Sequence, residues 1–179
     1  ENPDKQMLTH NRDIFISNNG LVTYLHSQNG PTGIYVLDLK DNSTTKMPSI
    51  GRVEKVQISK NGQQIVFSSN TSSELYIYDL AKRRMIKLPT YDDSTFRAFA
   101  ISEDGTKVAY VRSMHENAYL FHIEVVDLKS EKIMHLYQID EVGSRILDLE
   151  LSDNQVIITH RRSTTNFITK VNLTTKIAS

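Results

Sequence analysis

The chain has 179 residues, of which 39% are hydrophobic and 23% are charged, so it is long enough for one domain with its own core. Lysine plus arginine equals aspartate plus glutamate at 21 each, which removes the broad positive charge that nucleic-acid and anionic-membrane binding rest on. The absence of cysteine excludes a disulfide framework, a thiolate metal site and a cysteine nucleophile. No apolar run of about 18 residues predicts a membrane span, and no leader-like segment opens the chain at Glu1, so we expect a mature chain or an excised part.

The first two units of the chain follow one pattern. An apolar strand ends in Ser, an Asn-Gly turn leads to a second apolar strand, a third strand ends in Asp-Leu, and a short fourth strand follows. The marker residues of the two copies are Ser17, Asn19-Gly20, Asp38-Leu39 and Lys46-Met47, then Ser59, Asn61-Gly62, Asp79-Leu80 and Met85-Ile86.

The third unit repeats the pattern closely, and the fourth is the most degenerate copy. Their markers are Ser102, Asp104-Gly105, Asp127-Leu128 and Ile133-Met134, then Ser152, Asp153-Asn154, Asn172-Leu173 and Ile177. The Ser therefore recurs at positions 17, 59, 102 and 152, a period of roughly 40 to 50 residues that is typical of four-stranded propeller blades. Helix signals are weak throughout.

The recurring residues have structural reasons to stand where they do. Ser followed by Asn-Gly or Asp-Gly predicts a tight hairpin, because Gly accepts a positive φ and Ser bonds the turn backbone. Asp at the end of the third strand predicts an Asx turn that closes the next hairpin, and Asn172 can serve in the same way. We therefore interpret these residues as structural.

The segments SKNGQQIVF at 59–67 and SEDGTKVAY at 102–110, with ELYIYDL at 74–80, resemble the repeat of TolB-like β-propellers. The resemblance covers roughly residues 12–178. Asn61 replaces the Asp of that pattern, residues 153–154 lack its Gly, and no Pro follows any of the Ser residues. The resemblance and the four repeats together predict an all-β, β-propeller-type array of about four four-stranded blades, either a small propeller or part of a larger one. This array is expected to form a single domain 12–178, with repeats at roughly 12–50, 51–92, 93–142 and 143–178.

Motifs for chemistry are scarce. Gly143-Ser144 lacks the second Gly of a nucleophile elbow, the six His show no ligand spacing, and no phosphate-cradling Gly-rich loop is present. Pairs of carboxylates at 92–93, 103–104 and 140–141 fall in predicted turns or links, where solvated charge is the default interpretation. We therefore expect no enzyme activity, no catalytic residues, no metal ligands and no cofactor.

Two segments are candidate binding loops. The third unit is lengthened between Ser113 and Phe121 with apolar residues, which either tuck under the neighbouring blade or form an exposed contact patch. The link from Tyr91 to Arg97 joins units two and three and is expected at a rim. The candidate binding residues are Met114, His115, Tyr119, Phe121, Tyr91, Phe96 and Arg97.

The resemblance implies three functional settings. One is the periplasmic sensor domain of a membrane-anchored winged-helix regulator similar to CadC and ToxR. The others are a TolB-like envelope or translocation scaffold that binds a lipoprotein, and a propeller accessory to a prolyl-oligopeptidase-type peptidase. We favour the sensor, in a periplasmic or other extracytoplasmic location, recognising a protein or ligand and binding no nucleic acid itself. Open strand edges favour a protein partner, a neighbouring domain or a homodimer.

Overall fold

The structure, a computed structural model, describes residues 14–26, 33–48, 51–69, 74–88, 94–114, 120–140, 144–152 and 154–174. These residues form fifteen β-strands, paired antiparallel into four sheets that follow one another along the chain. None of them lies in a helix, so this part of the chain contains no helix able to cross a membrane. The arrangement confirms the predicted all-β fold of four propeller blades.

Blades one and two are four-stranded sheets in which each strand pairs with the next. Blade one contains β1 (Phe15–Ile16), β2 (Leu21–His26), β3 (Gly33–Asp38) and β4 (Ser43–Lys46). Blade two contains β5 (Val53–Ile58), β6 (Gln64–Ser69), β7 (Glu74–Asp79) and β8 (Arg84–Lys87).

Blades three and four have longer strands. Blade three contains β9 (Ser94–Ile101), β10 (Lys107–Met114), β11 (Leu120–Asp127) and β12 (Ile133–Asp140). Blade four contains β13 (Ser144–Leu151), β14 (Gln155–Arg162) and β15 (Thr165–Asn172). The fourth strand predicted at Ile177, and the predicted domain limits at 12 and 178, lie outside the described residues.

The first hairpins of blades one, two and three form as their turn residues predict. In blade two, Ser59 Oγ accepts the N–H of Gln64 at 3.1 Å and donates to Asn61 Oδ1 at 2.6 Å, while Gly62 adopts a φ of 70°. Blade three repeats the turn with Ser102 bonded to Asp104 at 2.7 Å. The glycine is required because a side chain there would be strained by the positive φ.

In blades one to three, the Asp that ends the third strand closes the next hairpin. Asp38 accepts the N–H of Lys40 at 2.9 Å, Asp127 accepts that of Ser130 at 2.8 Å, and Asn172 accepts that of Thr174 at 2.8 Å. Because an amide oxygen serves as well as a carboxylate, the Asx-turn prediction holds for blade four despite the change of residue.

The core lies between successive blades. Three buried apolar clusters join blade one to two, two to three and three to four. No cluster among the described residues joins blade four to blade one. The first strands of neighbouring blades also contact each other, β1 with β5, β5 with β9 and β9 with β13, so they form the inner tier of the array.

The array has two different ends. The Ser-containing hairpins share one end, here called the hairpin end, where Asn18 donates its N–H to the carbonyl of Lys60 at 2.7 Å. One blade further, Asn61 donates in the same way to Glu103 at 3.0 Å, and Lys60 forms an ion pair with Glu103. Backbone bonds from blade to blade make this end structural. The inner strands begin at the opposite end, here called the loop end.

Candidate functional site at the loop end

Three inner strands carry a β-bulge at the same place in the repeat. The ladder skips Glu54 in β5, Arg97 in β9 and Leu147 in β13. Each of these residues stands five positions before the Ser of its blade. All three side chains are exposed although they sit on the inner strands. Bulges re-aim a side chain and occur frequently beside functional sites, so we call Glu54, Arg97 and Leu147 the bulge tier.

The side chain of Arg97 is oriented by its own blade. Its Nε donates to Ser113 Oγ at 2.9 Å, and Ser113 is buried at the end of β10. The remaining guanidinium donors stay exposed, ready for a carboxylate or carbonyl oxygen. Because Glu54 and Leu147 occupy the equivalent positions on either side, the tier presents an acid, a base and an apolar group on three successive blades.

The loop end of blade three extends beyond that of blade two. Strands β10 and β11 each have eight residues, whereas β6 and β7 each have six. The first hairpins of blades two and three have the same length and register, so the additional residues lie at the loop end, where two residues add about 7 Å. The strands of blade three therefore extend past those of blade two, and the described part of this extension is buried at Ser113 and Phe121.

A buried ion pair lies beneath this projection. Arg112 Nη2 is 2.8 Å from Glu124 Oε1, and the two side chains are 7% and 0% exposed. Glu124 faces blade two, in the register position that Tyr35, Tyr76 and Thr169 occupy in the other blades. His135 approaches the same carboxylate, with Nδ1 at 2.6 Å from Oε1. A charge has thus replaced an aromatic or small polar residue in one blade only.

The charges of this cluster counteract the effect of burial on the pKa of Glu124. Burial by itself would raise the pKa of Glu124, but the hydrogen bond and charge of Arg112 hold that pKa below its usual value. The pKa of His122 is lowered by burial and by the nearby Arg112 charge. The cluster therefore keeps Glu124 ionised and favours the neutral form of His122. The ionised carboxylate fixes Arg112 and the strands that carry the loop end.

The predicted binding residues fall in several places. Phe96 and Arg97 lie in strand β9 rather than in the link between blades, because β9 already starts at Ser94 and pairs with β10. Phe96 packs edge-on against Tyr110 with ring centroids 5.4 Å apart, so its ring is partly structural. Arg97 is exposed. The prediction of a binding role for both remains untested.

The lengthened segment of blade three is mostly strand. β10 continues to Met114 and β11 starts at Leu120, with Ser113 opposite Phe121. Phe121 is buried in the cluster between blades three and four, so its side chain belongs to the core and is not an exposed contact in this structure. The side chain of Met114, and residues Tyr91, His115 and Tyr119, lie outside the described parts.

Sequence reasoning missed Glu54 and Leu147. The signal that could have found them is positional, since both share with Arg97 the spacing of five residues before the repeat Ser. It also missed the Arg112–Glu124 pair, which leaves no motif because its members are twelve residues apart on adjacent strands. Within the described ranges, no group of three or more His, Asp or Glu side chains could hold a metal ion.

The blades, their repeat and their open inner tier define the class as a β-propeller-type domain. No protein-family model matches the sequence, and no curated protein sequence matches it. Solved structures do match. The TolB of Acinetobacter baumannii superposes with a TM-score of 0.70 at 18% identity, over 92% of this chain and 41% of that one.

Two further structures give the same result. A TolB-type protein from Agrobacterium tumefaciens matches with a TM-score of 0.68 at 17% identity, over 95% of this chain and 61% of that one. The β-propeller domain of the Trilobed protease from Pyrococcus furiosus, which has an open velcro topology, matches with a TM-score of 0.66 at 17% identity, over 90% and 53%. The fold is therefore TolB-like, and the chain spans less than two thirds of each of these structures.

Proposed function

We propose that this chain is a non-catalytic recognition module that binds a protein or ligand at the loop end, and that it forms the extracytoplasmic sensor domain of a membrane-tethered bacterial transcriptional regulator. The observation that carries the recognition role is the bulge tier. A bulge in each of three successive inner strands exposes Glu54, Arg97 and Leu147. At the hairpin end, by contrast, backbone groups bond from one blade to the next.

The chemistry of the tier favours a protein partner. An exposed acid, a base held by a neighbouring hydroxyl and an exposed leucine offer charge complementarity together with an apolar contact. The buried Arg112–Glu124 pair within blade three fixes β10, the strand that carries Ser113, the hydroxyl partner of Arg97. This supports the arrangement, because preorganised contact residues lose less conformational entropy on binding.

The recognition role is tested by crosslinking in the cell. A photoreactive amino acid replaces Leu147 at the tier or, as the matched control, Lys129 on an exposed hairpin at the opposite end. We expect a discrete crosslinked product from position 147, lost when Arg97→Glu is added, and none from position 129. Equal products from both positions, or none from position 147, would contradict a recognition site at the loop end.

The sensor assignment is tested by the domain content of the whole gene product, from intact mass and peptide mapping. A winged-helix segment and a membrane span in the same polypeptide support it. A product that consists of a cleaved leader and further blades alone would refute it in favour of a TolB-like envelope scaffold that binds a lipoprotein.

The likeness to TolB structures favours that scaffold as the second candidate, and the likeness to a protease propeller favours a third. As an accessory to a prolyl-oligopeptidase-type enzyme, the chain would be followed by a hydrolase domain with a nucleophile elbow. The same mass measurement separates all three. The proposal also includes a homodimer, because the open strand edges of the array allow self-association.

A further inference from the structure

Blades three and four face each other across a joint that is apolar in its core and basic at its loop end. In the core, residues such as Val111 of β10 and Ile158 of β14 pack in one buried cluster. Alternate residues of a strand share a face, so Ser113 on β10 and Arg162 on β14 lie on the same two facing surfaces, beyond this cluster. The facing surfaces therefore end in polar residues at the loop end.

Two guanidinium groups reach this joint at nearly the same level. Ser113 stands six residues after Lys107, where the first hairpin of blade three closes, and Arg162 stands seven after Gln155, where that of blade four closes. The two levels thus differ by one residue, or about 3.4 Å. Arg97 reaches the level of Ser113 because its Nε donates to Ser113 Oγ at 2.9 Å. Stacked sheets lie about 10 Å apart, so the two exposed arginines can contact one group between them.

The positive charge of this corner has no counter-charge among the described residues. Within the described ranges, neither Arg97 nor Arg162 forms an ion pair with a carboxylate. Asp140 ends β12 on the face of blade three that turns towards blade two, and Asp148 lies on the face of blade four that turns away from blade three. The whole chain is balanced at 21 basic and 21 acidic residues, so the excess of positive charge is local to this corner.

A buried histidine in the next row of blade four is incompletely hydrogen-bonded. His160 is 5% exposed and lies two positions before Arg162 on the same face of β14. Its Nε2 is 3.2 Å from Thr169 Oγ1, but its Nδ1 is buried and has no hydrogen-bond partner in the described part of the chain. A buried polar atom without a partner costs free energy, and a peptide group that bonds to it removes that cost.

Two exposed apolar side chains belong to the same corner. Leu147, at the bulge of β13, is 40% exposed, and Phe167, stacked on His160 with centroids 5.4 Å apart, is 41% exposed. Glu54 stands in the bulge tier on the other side of Arg97. A continuous polyanion would be repelled by this carboxylate and would gain nothing from the apolar groups. A carboxylate beside an apolar side chain matches both features, which is the chemistry of an acidic peptide segment.

We propose that the loop end of the joint between blades three and four binds an acidic segment of a partner protein, with one carboxylate held between Arg97 and Arg162. This inference rests on the proposed recognition role and names the chemistry of the partner. Arginine suits the contact because its planar guanidinium can bond both oxygens of a carboxylate. Ser113 orients Arg97 for it, and Nδ1 of His160 bonds the peptide backbone.

The test measures which arginines a carboxylate-bearing peptide covers. The gene product at its natural length is treated with phenylglyoxal, which modifies accessible guanidinium groups, and peptide mapping gives the rate at each arginine. The probe is a synthetic peptide of alternating glutamate and leucine, and its control has glutamine in place of glutamate.

The expected result is protection of two arginines only. At about 10 mM glutamate peptide, modification of Arg97 and Arg162 should slow at least about threefold, because a Kd of about 5 mM or lower makes 1 + [L]/Kd equal to 3 or more. Arg83, on an exposed hairpin at the opposite end, should react at an unchanged rate. The glutamine peptide should protect none of the three.

A matched control variant is available at Arg161, which neighbours Arg162 on the opposite face and donates its Nε to Asn166 Oδ1 at 2.7 Å. Arg162→Gln should abolish the protection of Arg97, whereas Arg161→Gln should leave it unchanged. Both side chains are exposed, so both variants should keep the Tm of the parent protein. Absent protection of Arg97, equal protection of Arg83, or equal effects of the two variants would overturn the proposal. Equal protection by the same concentration of inorganic phosphate would also overturn it, since that assigns the site to a free oxyanion.

Failure of this inference and failure of the recognition role give different results. The crosslink from position 147 in the cell tests whether a partner contacts the loop end at all. A discrete crosslink together with unprotected Arg97 and Arg162 contradicts only the acidic segment. No crosslink from position 147 contradicts the recognition role itself.

Discussion

The buried Arg112–Glu124 pair gives the sharpest stability prediction. At 2.8 Å and an effective dielectric constant near 20, the Coulomb attraction between the two charges is about 6 kcal/mol. Removing both side chains from water costs several kcal/mol for each, so the net contribution of the intact pair is small. Removing one partner is different, because it leaves the other charge buried without its main counter-charge.

We therefore expect Arg112→Met and Glu124→Leu each to lower the free energy of unfolding by about 3–5 kcal/mol. The double variant should recover most of that loss, because two apolar side chains replace two charges on the face that packs against blade two. Urea unfolding of all four proteins at pH 7 measures the cycle. Single variants that lose less than about 1 kcal/mol would show that water screens the pair and would refute the reasoning. A double variant as unstable as the sum of the singles would refute it as well.

Three further predictions concern the same array. The folded-state pKa of His122 is lowered by burial and by Arg112, so the unfolded chain takes up the proton first as pH falls through about 6.5. Tm should therefore decrease below that pH, and His122→Gln should flatten the decrease. A variant with the same pH profile of Tm as the parent protein would contradict this role of His122. Arg83 holds a φ of 51° in an exposed hairpin, so Arg83→Asn should raise the free energy of unfolding by roughly 0.5–1 kcal/mol in urea; no gain would mean that the turn relaxes. Gly62 has a φ of 70° and lies against the side chain of Asn19, so Gly62→Ala should lower Tm by several degrees, and an unchanged Tm would show that the hairpin moves aside.

Much of the fold is readable from the sequence because its determinants are local. Ser59 with Asn61 and Gly62 sets a hairpin within six residues, and Asp127 sets the next turn within four. Such contacts recur with the repeat and leave the same letters in each copy. The blade boundaries, the strand order and the structural role of these residues follow from them.

The candidate site was predictable only in part, because its determinants are not local. Arg97 was named as a binding residue from its place near a link, yet its exposure depends on a bulge that only strand pairing reveals. Phe121 is an aromatic residue of the kind that contact surfaces contain, but residues of blade four pack against it and bury it. Burial by another blade depends on the arrangement of distant segments, which no short pattern records.

The repeat also explains why the two ends of the array differ. A hairpin that fixes register and bonds to the next blade cannot vary freely, and the Ser, Asn or Asp, and Gly of that end are largely kept. The inner strands start from the other end, where the bulge is kept in three blades but its side chain changes from Glu54 to Arg97 to Leu147. The backbone bulge is the same in the three blades and only its side chain differs. Because these side chains are exposed, packing does not explain the difference. Variation of charge and polarity at a fixed, exposed position is what recognition of an asymmetric partner requires.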